Sequence, residues 1–187
     1  MDLTPVTLRG RHVRLEPLSL AHLDALCEVG LDEELWALTT IRVRTREDMR
    51  AYIEQAQSGL PFATVEQSTG RVVGSTRYMN IDVPNRHVEI GSTWIARPWQ
   101  RTAINTEAKF LMLRYAFETL GCLRVELKTD LLNEKSRRAI LRIGAKQEGI
   151  FRNHMICWNG RIRHTVWFSV IDSEWLEVKA ALEERLG

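Results

Sequence analysis

No run of apolar residues in this chain approaches the ~20 that a membrane-spanning helix needs. The opening residues, MDLTPVTLRGRHVRL, lack the apolar core of a secretory leader. Cysteine is scarce. Cys27, Cys122 and Cys157 are too few and too scattered for a disulfide framework or a zinc site, so no metal is expected. Neither sign of charge dominates: the formal net charge is +2, with both signs mixed along the chain. That argues against a nucleic-acid partner, which would need a basic stripe. Internal repeats, low-complexity tracts and linker-like stretches are also missing. These absences lead to the expectation of one domain over residues 1–187, cytoplasmic and reduced, with neither a membrane nor a nucleic acid as partner.

The remaining residues alternate between strand and helix signals. RHVRLEP (11–17) predicts a first strand. Ser19 is placed to cap a helix through Val29 that stops at Gly30. Thr45-x-x-Asp48 resembles a capping box and opens a second helix ending near Ser58-Gly59. Phe62–Glu66 and Arg71–Met79 flank QSTG and predict a hairpin. VEIGSTWIA (88–96) predicts a strand with Gly91 in its interior, which marks either a bulge or a close approach.

A helix over Ile104–Leu120 is apolar on most of its circumference. Glu107, Arg114 and Glu118 form its polar stripe, and Gly121 stops it. CLRVELKTD (122–130) predicts a strand. Asn133 caps a short helix closed by Gly144. Asn159-Gly160 between two β-rich runs predicts a type I′ hairpin, and SEWLEVKAALEERL a last helix. The sum is an α/β (α+β) domain built on one mixed sheet with helices on its faces.

The stretch WQRTAINTEAKF (99–110) carries the chemical question. A turn running into a buried helix offers free N–H groups and a partial positive charge, which suit a phosphate. Loops that admit phosphate so closely usually carry glycine, and this one has Ala103 and Asn105. It is either an anion site or simply the start of a helix. Ala103 is compatible with the first alternative if its φ is negative, because backbone N–H groups bind the anion.

The element order and four stretches together resemble the GNAT superfamily of N-acetyltransferases, and within it the RimJ/RimL-like branch. They are LRGRHVRLEPLSLAHLDAL, RVVGSTRY with VEIGSTWI, RPWQRTAINTEAKFLMLRYAFE, and NEKSRRAILRIGAKQEGIFRNH. The resemblance implies a GNAT-like, mostly antiparallel sheet with helices on both faces. It implies acetyl transfer from acetyl-CoA, as cosubstrate, to a primary amine by direct attack without an acyl-enzyme. An amine acceptor is the second partner, and a homodimer is one option for assembly. Gln100-x-x-Ala103-x-Asn105 stands where the family has Gln/Arg-x-x-Gly-x-Gly/Ala, so both glycines are replaced. The cofactor contacts it implies are Gln100, Arg101, Thr102, Ala103, Ile104, Asn105, Thr106, Ile95, Asn133 and Ser136.

The implied chemistry has three requirements. A backbone N–H of the strand over 90–96 polarises the thioester carbonyl. Ser136, from Asn133-x-x-Ser136, serves the leaving thiolate; otherwise Asn133 is a simple cap and Ser136 a small buried residue. The attacking amine must be neutral. Some relatives carry an acid where Met155 stands, which leaves Glu89 and His154 as water-linked base candidates, with His87 and His164 behind them. Deprotonating a lysine of pKa ~10.4 near pH ~7.5 costs about 4 kcal/mol, and an α-amine of pKa ~8 well under 1. A site without a strong base therefore suits an α-amine. The rival reading is a degenerate acyl-CoA-binding module, and a further one is a scaffold that binds no cofactor. Trp36 is read as core, with the acceptor side as the alternative.

Overall fold

In the computed structural model, which describes residues 1–187, Val13 and Leu15 are fully buried on one side of the second strand. This is the period of two expected for a half-covered sheet. The strands are β1 (Leu8–Arg9), β2 (Val13–Pro17), β3 (Leu60–Glu66), β4 (Val72–Asp82), β5 (His87–Ile95), β6 (Arg124–Asp130), β7 (Lys146–Ile156) and β8 (Ile162–Ile171). They form one eight-stranded sheet in the order β1-β2-β3-β4-β5-β6-β8-β7. Only β5 and β6 run parallel.

The helices are α1 (Leu23–Gly30), α2 (Arg46–Ala56), α3 (Ala103–Arg114), α4 (Glu134–Arg142) and α5 (Trp175–Leu186). Two apolar cores follow from strand alternation. Leu26, Trp36, Met49 and Ile53 pack against Ala63, Val65 and Trp94 on the α1/α2 face. Leu111, Leu113, Trp175 and Leu182 pack with Phe62, Tyr78, Ile90 and Phe168 on the opposite, α3/α5 face. A mixed sheet with helices on both faces is the expected fold class. No helix is long and apolar enough to cross a membrane.

Several local expectations are corrected. Gly30 is the last residue of α1 and is not left-handed; a Cβ there would meet Trp94 at 2.6 Å and Met49 at 2.7 Å, so it is a packing glycine. Leu20–His22 form a 3₁₀ turn ahead of α1 rather than its first α-turn. The 157–161 hairpin is not type I′, because only Gly160 of the Asn159-Gly160 pair has positive φ. Gly160 N–H donates to the Cys157 carbonyl at 2.9 Å, which makes a three-residue loop with a left-handed last residue. The Thr45/Asp48 capping box forms, with bonds of 3.1 and 3.0 Å. Gly144 stops α4 at positive φ, and Gly121, also at positive φ, follows the π-helical turn Tyr115–Thr119 that continues α3.

Glu107 is not on a solvent stripe. It is 5% exposed. Its carboxylate accepts the N–H groups of Arg11, His12 and Val13 at 2.8, 2.6 and 2.7 Å. The β1–β2 turn is thereby tied to α3, and Gly10 leaves the space: a Cβ there would fall 2.4 Å from the carboxyl carbon. Glu107→Ala removes a buried carboxylate that holds three N–H groups, that of Val13 fully buried, and should lower stability by about 3 kcal/mol. Urea unfolding should show a lower midpoint at unchanged slope; an unchanged midpoint would remove this tie from the account.

Candidate active site

β5 and β6 pair at only three positions: His87 with Arg124, Val88 with Val125, and Glu89 with Glu126. Beyond them β6 stays paired to β8 through Asp130, while β5 runs on to Ile95 without a partner on that side. A wedge opens between Ile90–Ile95 and Leu127–Asp130. Its cause lies in β5. The register against β4 shifts between Ser75 and Arg77, and Ser92 takes φ 46. Such a bulge bends the strand and leaves backbone groups unpaired. The expected bulge within 90–96 is present, centred on Ser92 and not on Gly91. Gly91 answers to close approach, since a Cβ there would meet Met79 Sδ at 2.7 Å and Glu89 Oε1 at 2.9 Å.

Both strands end at the open side of the wedge, where ligands of parallel strands bind. The chain passes from Ile95 through a 3₁₀ turn at Arg97–Trp99 into α3. It passes from Asp130 through Leu131–Asn133 into α4. Two helix N-termini therefore meet at the mouth. Thr102 caps α3, its Oγ1 accepting the Ile104 N–H at 3.3 Å and donating to the Trp99 carbonyl at 2.7 Å. Helix geometry leaves the N–H groups of Thr102, Ala103 and Asn105 without intrahelical partners.

Ala103 has negative φ, as the helix-like reading requires. The left-handed residue is Arg101, at φ 63. The loop thus dispenses with glycine by moving the strained position to an arginine, at a cost of about 1–2 kcal/mol. Asn105 Oδ1 is buried without a partner. Thr106 is buried and accepts from Arg142 at 3.1 Å, linking α3 to α4. Gln100 spans the mouth: its Nε2 donates to the Ile95 carbonyl at 2.7 Å, and its Oε1 accepts from Lys135 of α4. Asn133 caps α4 through the Ser136 N–H at 3.0 Å. Ser136 is half-buried, and its hydroxyl has no partner within the chain.

Glu89 and His154 belong to one cluster. Glu89, 1% exposed, accepts through Oε2 from Lys128 at 2.8 Å and from Asn80 at 2.7 Å. Lys128 lies 4.9 Å above the Trp167 ring, and Trp167 stands edge-on to His154 at 5.4 Å. His154 Nδ1 contacts Thr165 Oγ1 at 3.0 Å. Burial pulls its pKa below the usual histidine value, helped by Lys128 and Arg163. His87 sits at the closed end of the wedge, 3.4 Å from Asp82. His164 accepts the Asn153 N–H at 2.9 Å.

Trp36 is core: 3% exposed, it donates to the Gly30 carbonyl at 2.8 Å. The hairpin tip reaches it instead, with Trp158 Nε1 donating to the Trp36 carbonyl at 3.0 Å. An open hollow of about 790 Å³ lies beside the mouth on the α1 side, lined in part by Cys27, Arg71, Arg97 and Trp99.

Sequence reasoning passed over Lys109. It is 5% exposed on α3, and its Nζ lies 2.5 Å from Thr93 Oγ1 and 3.2 Å from Thr76 Oγ1. No carboxylate pairs with it. Burial alone pulls its pKa from 10.5 to about 7. The legible signal was a lysine between Ala108 and Phe110 in an otherwise apolar helix.

A mixed sheet splayed between two parallel strands, with two helix N-termini at the splay, is the architecture of the GNAT fold. The chain matches the acetyltransferase (GNAT) domain model over residues 12–146, and it belongs to that family. It is 37% identical over 106 residues to the "Putative ribosomal N-acetyltransferase YdaF" of Bacillus subtilis (strain 168); the match spans 57% of each chain. A GCN5-related N-acetyltransferase from Brucella melitensis superposes with a TM-score of 0.92 at 37% identity, covering 98% of this chain and 86% of that one. A ribosomal-protein-S5-alanine acetyltransferase from Vibrio fischeri shares the fold, with a TM-score of 0.75 at 18% identity, over 91% of this chain and 98% of that one.

Two predictions concern the mouth and its surroundings. Arg101→Glu should weaken CoA binding in a salt-dependent way. Arg101→Gly, which keeps the loop geometry, should weaken it less and raise the melting midpoint. Equal CoA affinity in all three proteins by calorimetry would turn the Arg101 charge away from the phosphates. For Lys109, the folded chain binds the amine proton less tightly than the unfolded chain does. The penalty, of order several kcal/mol, is therefore full at and below pH 7 and fades as pH rises toward 10.5. Lys109→Met should melt several degrees above the parent at pH 7, and the gap should close by about pH 10. A gap independent of pH would contradict burial as the cause.

Proposed function

We propose that this chain transfers an acetyl group from acetyl-CoA to a primary amine, with the α-amine of a peptide or protein N-terminus as the preferred acceptor. The observation that carries the proposal is the wedge. Its free strand edges suit an extended arm bearing amides, which can pair with β5 as an added strand would. The N–H groups of Thr102–Asn105 suit the pyrophosphate at the mouth. Arg101 adds positive charge there, and Lys135 spans the mouth to Gln100.

In this reading the thioester carbonyl lies against an N–H group at the Ser92 bulge, where negative charge on oxygen is stabilised as the amine attacks. The amine nitrogen bonds to the carbonyl carbon, the carbon–sulfur bond breaks, and the thiolate takes a proton. Ser136, with an unengaged hydroxyl on the other side of the mouth, relays to sulfur the proton that the nitrogen sheds on becoming an amide, and ends as a hydroxyl again. Glu89 is the water-linked base. Its Oε1 makes no hydrogen bond within the chain, and it lies on the bulged strand itself. An amine of pKa ~8 needs little help to arrive neutral, whereas a lysine of pKa ~10.4 needs much more. The similarity to YdaF, a putative ribosomal N-acetyltransferase, favours an amine of a ribosomal protein as acceptor.

Thiol release from acetyl-CoA over a panel of N-terminal peptides, lysine side-chain peptides and small amines tests this. The peptides with free α-amines should turn over fastest. CoA binding without turnover on any amine would favour the binding-module reading. Ser136→Ala should lower kcat roughly ten- to a hundredfold with little change in KM for acetyl-CoA. Glu89→Gln should lower kcat/KM at least tenfold, and His154→Ala should leave it within twofold. A Ser136→Ala enzyme within twofold of the parent would remove that residue from the chemistry.

A further inference from the structure

The bulge at Ser92 is gripped from both faces of the sheet. On the α2 face, Tyr52 Oη lies 3.2 Å from the Ser92 carbonyl and 3.2 Å from Ser75 Oγ. On the α3 face, Lys109 reaches Thr93 at 2.5 Å and Thr76 at 3.2 Å, and the two threonine hydroxyls share a bond of 2.7 Å. The three groups form a closed triangle across β4, β5 and α3. Thr93 is exposed along the unpaired part of β5, while Lys109 beneath it is sealed.

A lysine is an unusual choice for so dry a place. A methionine would fill the volume without desolvating an amine, and stability alone would favour it. The two hydroxyls accept at most two of an ammonium's three protons, so the charged form is left one bond short. A neutral amine both donates and accepts and closes the triangle. The low pKa of Lys109 agrees with that form.

We infer that Lys109 is a positioning residue for acetyl transfer: through Thr93 it fixes the bulge of β5, so that the bulge N–H groups face the reacting carbonyl. The inference rests on the proposed function for its kinetic consequence. It also makes a structural claim that does not need turnover. Lys109 touches neither substrate. It acts from α3, the helix whose N-terminus receives the phosphates, so the anion site and the bulge are carried on one rigid element.

The test compares Lys109→Met, Thr93→Val, the double variant and Thr93→Ser with the parent. Each of the first two should lower kcat ten- to a hundredfold, and the double variant should lose no more than the worse single one. Thr93→Ser keeps the hydroxyl and should stay within threefold. CoA, which lacks the acetyl carbonyl, should bind all four within twofold. Lys109→Met should be at least as heat-stable as the parent, so activity and stability move in opposite directions. Amide exchange at residues 92–94 should quicken in Lys109→Met whether or not the parent is active. Unchanged exchange there overturns the inference, as do kcat within twofold of the parent, multiplicative losses in the double variant, or joint loss of stability and CoA affinity. A parent that exchanges as described but acetylates no amine would overturn the proposed function and leave the positioning of the bulge standing.

Discussion

The parting of β5 from β6 after Glu89 and Glu126 is the constraint on which the rest of this molecule depends. Two parallel strands inside a sheet normally exhaust their backbone groups on each other. Here the Ser92 bulge bends one of them away, and each strand is left with a free edge inside the fold. The sheet tolerates this because β6 is still fully paired to β8, and β5 to β4 on either side of the bulge. The opening is held by packing and by polar groups from both layers. It is part of the folded structure and needs no moving part.

The helices are arranged to serve that opening. α3 leaves β5 at the mouth and is anchored along its length by polar groups buried among apolar ones. Glu107 binds three N–H groups of the β1–β2 turn, and Lys109 binds two threonines of β4 and β5. α4 leaves β6 at the same mouth and is tied across it by Lys135 to Gln100 and by Arg142 to Thr106. Below the mouth, Glu89, Lys128, Trp167 and His154 form a continuous polar and aromatic cluster on the α1/α2 face of the sheet, with Glu89 buried beneath it. In the proposed reaction the phosphates and the acceptor amine would approach from opposite sides of one bulge.

Much of this was legible in the residues because local chemistry decided it. Asn133 and Thr45 cap where their spacing said they would, and Gly121 and Gly144 stop helices at positive φ because only glycine does so cheaply. Ala103 sits in the helix for the same local reason. What was not legible depended on contacts distant in sequence. Glu107 was read as solvent-facing because its three partners lie about 95 residues away in β1–β2. Lys109 went unnoticed because nothing local distinguishes a lysine held by two threonines from one that snorkels to water. Gly91 marked either a bulge or a close approach; it answers to the close approach, and the left-handed position of the bulge belongs to Ser92. Gly30 failed in the converse way, being required by the Trp94 and Met49 side chains and not by its own backbone.

The most direct measurement is a crystal structure of the chain with CoA. The account predicts the pyrophosphate over the N–H groups of Thr102–Asn105, with Arg101 beside it. The pantetheine arm should lie between β5 and β6, with the sulfur near Ser92 and Ser136. Phosphates bound instead in the hollow beside Cys27, Arg71 and Arg97, with the β5–β6 wedge left to solvent, would contradict it.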